Sequence, residues 1–134
     1  MEEALRAHML AIPALVVVDR RIDWGVRHTG TLPAITLWTI STIPGLTMAG
    51  TSSWTRSRVQ ADCRGRNSLS ARGVSDAIIA PSSRGGLHGW RGSAGGILFR
   101  TFVLDKSSGD ERDGTDVVHV ARVDLNIWWQ PAGA

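Results

Sequence analysis

Tyrosine is absent from the 134 residues, and cysteine and lysine occur once each, as Cys63 and Lys106. A single cysteine excludes an intramolecular disulfide and any multi-cysteine zinc site. No apolar run approaches the roughly 20 residues of a membrane-spanning helix. The longest aliphatic stretch, residues 14–18, is closed at once by Asp19, Arg20 and Arg21. A strong charge excess is missing too. Fifteen basic and twelve acidic residues leave a net charge of +3. The sequence pI of 10.4 arises because nearly all of the basic residues are arginine, which stays protonated above pH 12. An arginine excess with one lysine, among many alanines and glycines, is the composition of a GC-rich genome, and +3 is a poor argument for nucleic-acid binding. The acidic opening Met1-Glu2-Glu3 does not read as a secretory signal, so an intracellular protein is expected.

What is present is a globular composition, 43% hydrophobic, at a length that suits one domain. Residues 2–12 read as a helix, with Leu5, His8, Met9 and Ile12 on one face, Glu2 and Glu3 at the positive N-terminus, and Pro13 as the stop. A short extended piece follows at residues 21–24, then a loop at 25–33. Residues 34–41 are β-branched and aromatic and have strand length. Turn signals fill residues 43–53, notably Pro44-Gly45. Residues 54–64 alternate: Val59, Ala61 and Cys63 on one side, Arg56, Arg58, Gln60 and Asp62 on the other.

Asn67 or Ser68 can cap a second helix at residues 69–80, with an inner stripe of Leu69, Gly73, Val74, Ala77 and Ile78 and Pro81 at its end. Residues 85–96 form a glycine-rich connection in which the glycines serve positive-φ turns. Residues 97–105 read as a strand and 106–115 as a polar hairpin loop. Residues 116–129 read as the longest strand, with Val117, Ala121, Val123, Leu125 and Ile127 on one face. Hairpin-length links favour antiparallel pairing. The expected fold class is α+β: a single domain with one antiparallel sheet and two helices packed on one face.

The search for chemistry finds little. None of His8, His28, His88 and His119 stands at helical ligand spacing from another, and His8 and His119 read as hydrogen-bonded core positions. Cys63 lies in register with Val59 and Ala61, where a thiol behaves as a small apolar group rather than a nucleophile. The glycine clusters match no phosphate-binding loop and lead into a strand. Residues 110–113 lack the alternating oxygen ligands of a calcium loop. No catalytic, metal-binding or cofactor-binding residue is assigned, and the chain does not read as an enzyme.

The six tryptophans carry more information. Trp24 and Trp38 are expected to anchor the core, whereas Trp54, Trp90, Trp128 and Trp129 stand near element ends. Trp128 and Trp129 are adjacent in a strand and must face opposite ways. If Trp129 continues the buried face, Trp128 points outward, for packing or for a subunit contact. Arg56 and Arg58 beside Trp54 allow stacking of single-stranded nucleic acid, with a wet strand face or subunit interface as the preferred account.

The ordered set of segments Met1-Glu2-Glu3-Ala4-Leu5-Arg6, Arg21-Ile22-Asp23-Trp24-Gly25, Leu32-Pro33-Ala34-Ile35-Thr36-Leu37, Arg58-Val59-Gln60-Ala61-Asp62-Cys63 and Arg122-Val123-Asp124-Leu125-Asn126-Ile127-Trp128-Trp129 resembles the tail-completion, or tail-terminator, proteins of long-tailed bacteriophages and gene transfer agents. The resemblance spans residues 1–129. It implies a structural role: a ring, commonly hexameric, that ends tail-tube polymerisation and joins the tail to the head connector. The implied partners are further copies of the chain, the major tail-tube protein, the stopper and adaptor proteins of the connector, and double-stranded DNA passing through the lumen without sequence-specific binding. The implied location is the bacterial cytoplasm during assembly and then the phage-like particle, with no membrane and no cofactor. Candidate interface residues are Trp54, Arg56, Arg58 and Trp128, with Asp110, Glu111 and Arg112 in a loop that orders on docking. The alternative is a small nucleic-acid-binding module using Arg56, Arg58, Arg64, Arg66 and Arg72.

Overall fold

The structure is a computed structural model and describes residues 1–25, 31–47, 50–113 and 116–131, with side chains for all of these except 45–47, 50–53, 111–113 and 116. The chain opens with helix α1 (Glu2–Leu10), a 3-10 helix (Pro13–Val18) and strand β1 (Ile22–Trp24). Two long strands follow, β2 (Ala34–Thr47) and β3 (Gly50–Gly65), then helix α2 (Ser68–Ile79). A 3-10 turn (Ser82–Arg84) leads to β4 (Arg91–Ala94), β5 (Ile97–Asp113) and β6 (Asp116–Pro131). The strands form one six-stranded sheet in the order β1-β2-β3-β6-β5-β4.

The sheet is mixed rather than antiparallel throughout, because β1 runs parallel to β2, with Ile22 opposite Ile35 and Trp24 opposite Leu37. The connection from β1 to β2 therefore does not form the hairpin that short links suggest. Every other neighbouring pair is antiparallel.

The core lies on one face of the sheet. Ile35 and Leu37 of β2, Val59, Ala61 and Cys63 of β3, Phe99 of β5, and Ala121, Val123, Leu125 and Ile127 of β6 are buried there. They form one cluster with Leu5 and Met9 of α1, Leu15 and Val18 of the 3-10 helix, and Ala71, Val74 and Ile78 of α2. Each large aliphatic side chain removed from water in this way stabilises the fold by about 1.5–3 kcal/mol. The alternation of β3 places these residues as its sequence suggests. In α2 the inner stripe is Ala71, Val74, Ser75 and Ile78. Leu69 is 75% exposed, because a helix that begins at Ser68 turns its second residue away from the face that 71, 74, 75 and 78 define. The Asn67 side chain caps α2 by accepting from the Ser70 N–H at 2.8 Å, which supplies one otherwise orphaned N-terminal donor with a partner.

Two segments that read as loops are strand. β2 and β3 continue as a two-stranded ribbon, with Pro44 opposite Thr55 and Thr47 opposite Gly50. Pro44 sits where β2 has no neighbour other than β3 among the described residues, so its missing N–H is tolerated as on any sheet edge. The polar run 106–113 belongs to β5 and pairs with β6 as far as Asp113 opposite Asp116. Its polarity is that of an edge: residues 106–110 run along β6 where β3 still pairs on the other side, and only 111–113 pass the end of β3, which stops at Gly65 opposite His119. The two ribbons leave the sheet at opposite ends.

Gly95 and Gly96 join β4 to β5 with φ of +55° and +77°. Ala94 opposes Ile97 across them, which is the two-residue hairpin turn that asks for positive φ at both positions. Gly86 has a different reason: a Cβ there would lie 1.9 Å from the Ala80 carbonyl oxygen.

Candidate interaction surface

The face of the sheet opposite the core carries the residues singled out from sequence. On β3 it presents Trp54, Arg56, Arg58, Gln60 and Asp62; on β6, Arg122, Asp124, Asn126 and Trp128 face the same way. Arg100, Phe102, Asp105 and Ser107 of β5 continue it, as do Trp38, Ser41 and Ile43 of β2. Register across the strands, rather than proximity in sequence, brings them together.

Four of the candidate residues converge at one end. The Arg56 guanidinium lies 5.7 Å from the ring centre of Trp128, and that of Arg100 lies 4.9 Å from the ring centre of Trp54. Both are cation–π contacts, in which the ring face attracts the guanidinium charge. Trp54, Arg100, Phe102 and Trp128 line an open groove of about 320 Å³. Trp129 points the other way, and its indole N–H donates to Ser57 Oγ at 3.0 Å. Arg58 is engaged with Asp124 at 3.1 Å. Trp128 is thus an outward residue whose cation–π partner comes from the adjacent strand.

The centre of the face is a closed polar cluster. Asp62, only 5% exposed, meets Arg64 at 3.6 Å and Arg122 at 3.4 Å and accepts from Gln60 at 2.8 Å. Arg64 also donates to Thr36 Oγ1 at 2.6 Å. A carboxylate so far out of water needs this many donors. The cluster locks β2, β3 and β6 together on the side that has no helix. The alternation of β3 predicts Asp62 as a wet position, but Arg122 lies directly opposite it on β6 and Arg64 lies two residues further along β3, and the two cover it.

The remaining candidates lie elsewhere. Asp110 is on the β5–β6 ribbon and meets His119 Nδ1 at 2.7 Å, on the side of the sheet that bears α2. The side chains of Glu111 and Arg112 are outside the described residues, although their backbone continues the β5 ladder opposite Val118 and Val117. The seven candidates therefore make two groups at opposite ends of the sheet. His119 is half-exposed and paired with Asp110, not a core histidine. Trp38, expected in the core, is 40% exposed on the outer face. Val117, expected on the buried face of β6, is exposed because it lies on the stretch of β6 past His119, where β3 no longer pairs.

His8 stacks on Trp90 with ring centres 3.6 Å apart and planes 11° from parallel, and Trp90 stacks on Phe99 in turn. Burial lowers the His8 pKa below the ordinary histidine value. Cys63 is fully buried, and its thiol is pushed far up, first by burial and then by the Asp62 charge, against a smaller opposing effect of Arg64. A thiol held in its protonated form is a poor nucleophile. Among the described residues, no three His, Cys, Asp or Glu side chains come together as metal ligands, and no helix is long and apolar enough to cross a membrane.

Comparison of the sequence with protein-family models and with curated proteins finds no match. Comparison of the fold with solved structures does. The chain is similar to one in the virion of a native gene transfer agent (GTA) particle, with a TM-score of 0.61 and 12% sequence identity over 96% of this chain and 94% of that one. At that identity the likeness is one of fold, and it extends over almost the whole of both chains.

Proposed function

We propose that this protein is a structural subunit of a phage-like particle, and that it forms a ring, with six copies as the expected number, which terminates the tail tube and joins the tail to the head connector. The observation that carries the reading is the end-to-end likeness of fold to a chain of a gene transfer agent virion. The ordered sequence segments that resemble tail terminators add the ring and its position. The outer face agrees with the role. It has tryptophan and arginine where subunit contacts concentrate them, and it has no helix over it. In this reading the tail-tube protein and the connector proteins are the partners, and DNA traverses the lumen. The protein is made in the bacterial cytoplasm and resides in the particle.

The nucleic-acid reading has less support. Its five arginines do not make one patch. Arg58 and Arg64 are engaged by Asp124 and Asp62, and Arg72 lies on α2, which packs on the opposite side of the sheet from Arg56. Single-stranded nucleic acid asks for a continuous basic track with free aromatic faces.

Imaging of the intact particle tests the proposal. One layer of this chain between tail tube and head connector is the expected result. A repeat along the tube would make it a tube subunit, and absence from the particle would return the nucleic-acid reading. Trp128→Ala and Arg58→Glu should each give a folded protomer whose tails are overlong or fail to join heads. Normal particles from both would remove this end of the outer face from the interface.

A further inference from the structure

The register leaves two long strand segments paired on one side only. On β2, strand β1 pairs with residues 35–37, the Gly25 N–H donates to the Leu37 carbonyl, and among the described residues no strand lies along that side of residues 38–47. On β5, strand β4 pairs with residues 97–100. Gly89 and Trp90 then bond to Thr101, and the Val103 N–H donates to His88 Nδ1. Among the described residues no strand lies along that side of residues 104–113. Each segment spans about 33 Å at the usual rise of a strand. They lie at opposite edges and opposite ends of the sheet, and their chain directions are antiparallel.

Their chemistry differs in a complementary way. Residues 38–47, WTISTIPGLT, contain no charge, and side chains 38–44 are all exposed. Natural sheet edges are defended by lysine, by inward-pointing charge or by shortness. This edge has a single proline instead. Residues 104–113, LDKSSGDERD, hold four acidic and two basic residues, a net charge of −2. Two copies of that edge repel one another, whereas an uncharged edge meets it without cost.

We infer that residues 38–47 of one copy add as an antiparallel strand to residues 104–113 of a second copy, so that the sheet continues from subunit to subunit. The inference rests on the ring reading for closure and on the strand edges for how copies meet. Thr42 faces the core side, opposite Ser57, and Ser108 does so opposite Ala121. A register that keeps each face continuous sets these two residues across from each other. Within one copy Thr42 is level with Thr101, through Ser57 and Ile127. Ser108 is level with Ala121, so successive copies are offset by the six residues of β6 from Ile127 to Ala121, about 20 Å along the strands. Tilted strands absorb such an offset, which is the stagger by which sheets close into barrels. The contact is head-to-tail, so it closes into a ring or runs on.

The test is a pair of cysteines in a Cys63→Ala background: Thr42→Cys with Ser108→Cys, and Pro44→Cys with Ser108→Cys for the register two residues away. Circular dichroism checks folding, air oxidation forms the links, and non-reducing gels are read beside the solution mass. The expected result is a ladder of linked chains from one of the double variants and no links from any single variant. Thr42→Cys alone yielding linked dimers would overturn the inference in favour of two β2 edges meeting about a two-fold axis. Rings by mass with no link in either double variant would overturn it and leave the ring reading standing. A chain that stays monomeric by mass at every concentration, with no link, would overturn both.

Discussion

The two halves of β2 have similar composition and opposite fates. Residues 34–37, Ala-Ile-Thr-Leu, are buried on both faces of the sheet. Residues 38–44, Trp-Thr-Ile-Ser-Thr-Ile-Pro, are exposed on both, with Ile40 at 53% and Ile43 at 48%. β-Branched and aromatic residues dominate throughout. What changes along the strand is its company: β1 on one side and the core cluster beneath stop at Leu37. Strand propensity follows the residues, whereas burial follows the neighbours, and a run of apolar residues that outlasts its neighbours is a surface in need of a partner.

The sharpest break of that comparison is a charge. Leu37→Asp should leave the chain unfolded, as should Cys63→Asp, because each buries an unpaired carboxylate; Ile40→Asp should fold normally. Circular dichroism and thermal melting separate the three, and a folded Leu37→Asp would mean that the core does not extend to the middle of β2. Truncation gives a graded version. Leu37→Ala should cost about 2–5 kcal/mol, and Ile40→Ala should stay within about 0.5 kcal/mol, both by urea unfolding.

A smaller effect is expected at Cys63. Cys63→Ala should cost about 1 kcal/mol, as for loss of a small buried group. The native thiol should resist a thiol-specific reagent until urea opens the fold, and rapid stoichiometric labelling of the folded chain would contradict its burial. The smallest effect is at His8. Its folded pKa lies below the unfolded value, so at acidic pH the unfolded chain binds the proton more readily. Stability is then unaffected above the ordinary histidine pKa near 6.5. It falls as pH drops from there toward the lower folded value. His8→Phe, which can keep the stack on Trp90, should flatten that part of the pH profile. An unchanged slope would show that the stack leaves His8 as free to protonate as in the unfolded chain.

The sequence made the inner strand faces readable because the alternation of Val59, Ala61 and Cys63 and the run Ala121, Val123, Leu125, Ile127 each have a two-residue period over a single core. It was silent where one rule overrode another. Pro44-Gly45 signals a turn, and only the absence of a neighbouring strand lets it lie in β2. The 106–113 segment has loop composition, yet its backbone is fixed by pairing with β6. Leu69 shows how a helix phase read one residue early assigns the wrong stripe. At the candidate site, Trp128, Arg56 and Trp54 could be singled out as outward-facing strand-end residues, but Arg100 and Phe102 could not. They enter the groove through the β5–β6 register, including the irregularity between Val103 and Asp105, which local sequence does not encode. Asp62 was readable as facing away from the core and unreadable as buried, because its cover comes from Arg64 and Arg122.

The two ribbons leaving opposite ends of the sheet have a mechanical meaning. One is anchored through β3 and the other through β6, so tension between their tips passes across the β3–β6 ladder, which runs from Thr55–Trp129 to Gly65–His119. Its hydrogen bonds lie across the direction of pull. Loaded that way they share the force as a sheared set, instead of parting one after another as in a peeled hairpin. The molecule is therefore stiffest along its strands and weakest across them. A pulling experiment between residues near the two tips should meet a markedly higher rupture force than one that peels β5 and β4 from the edge.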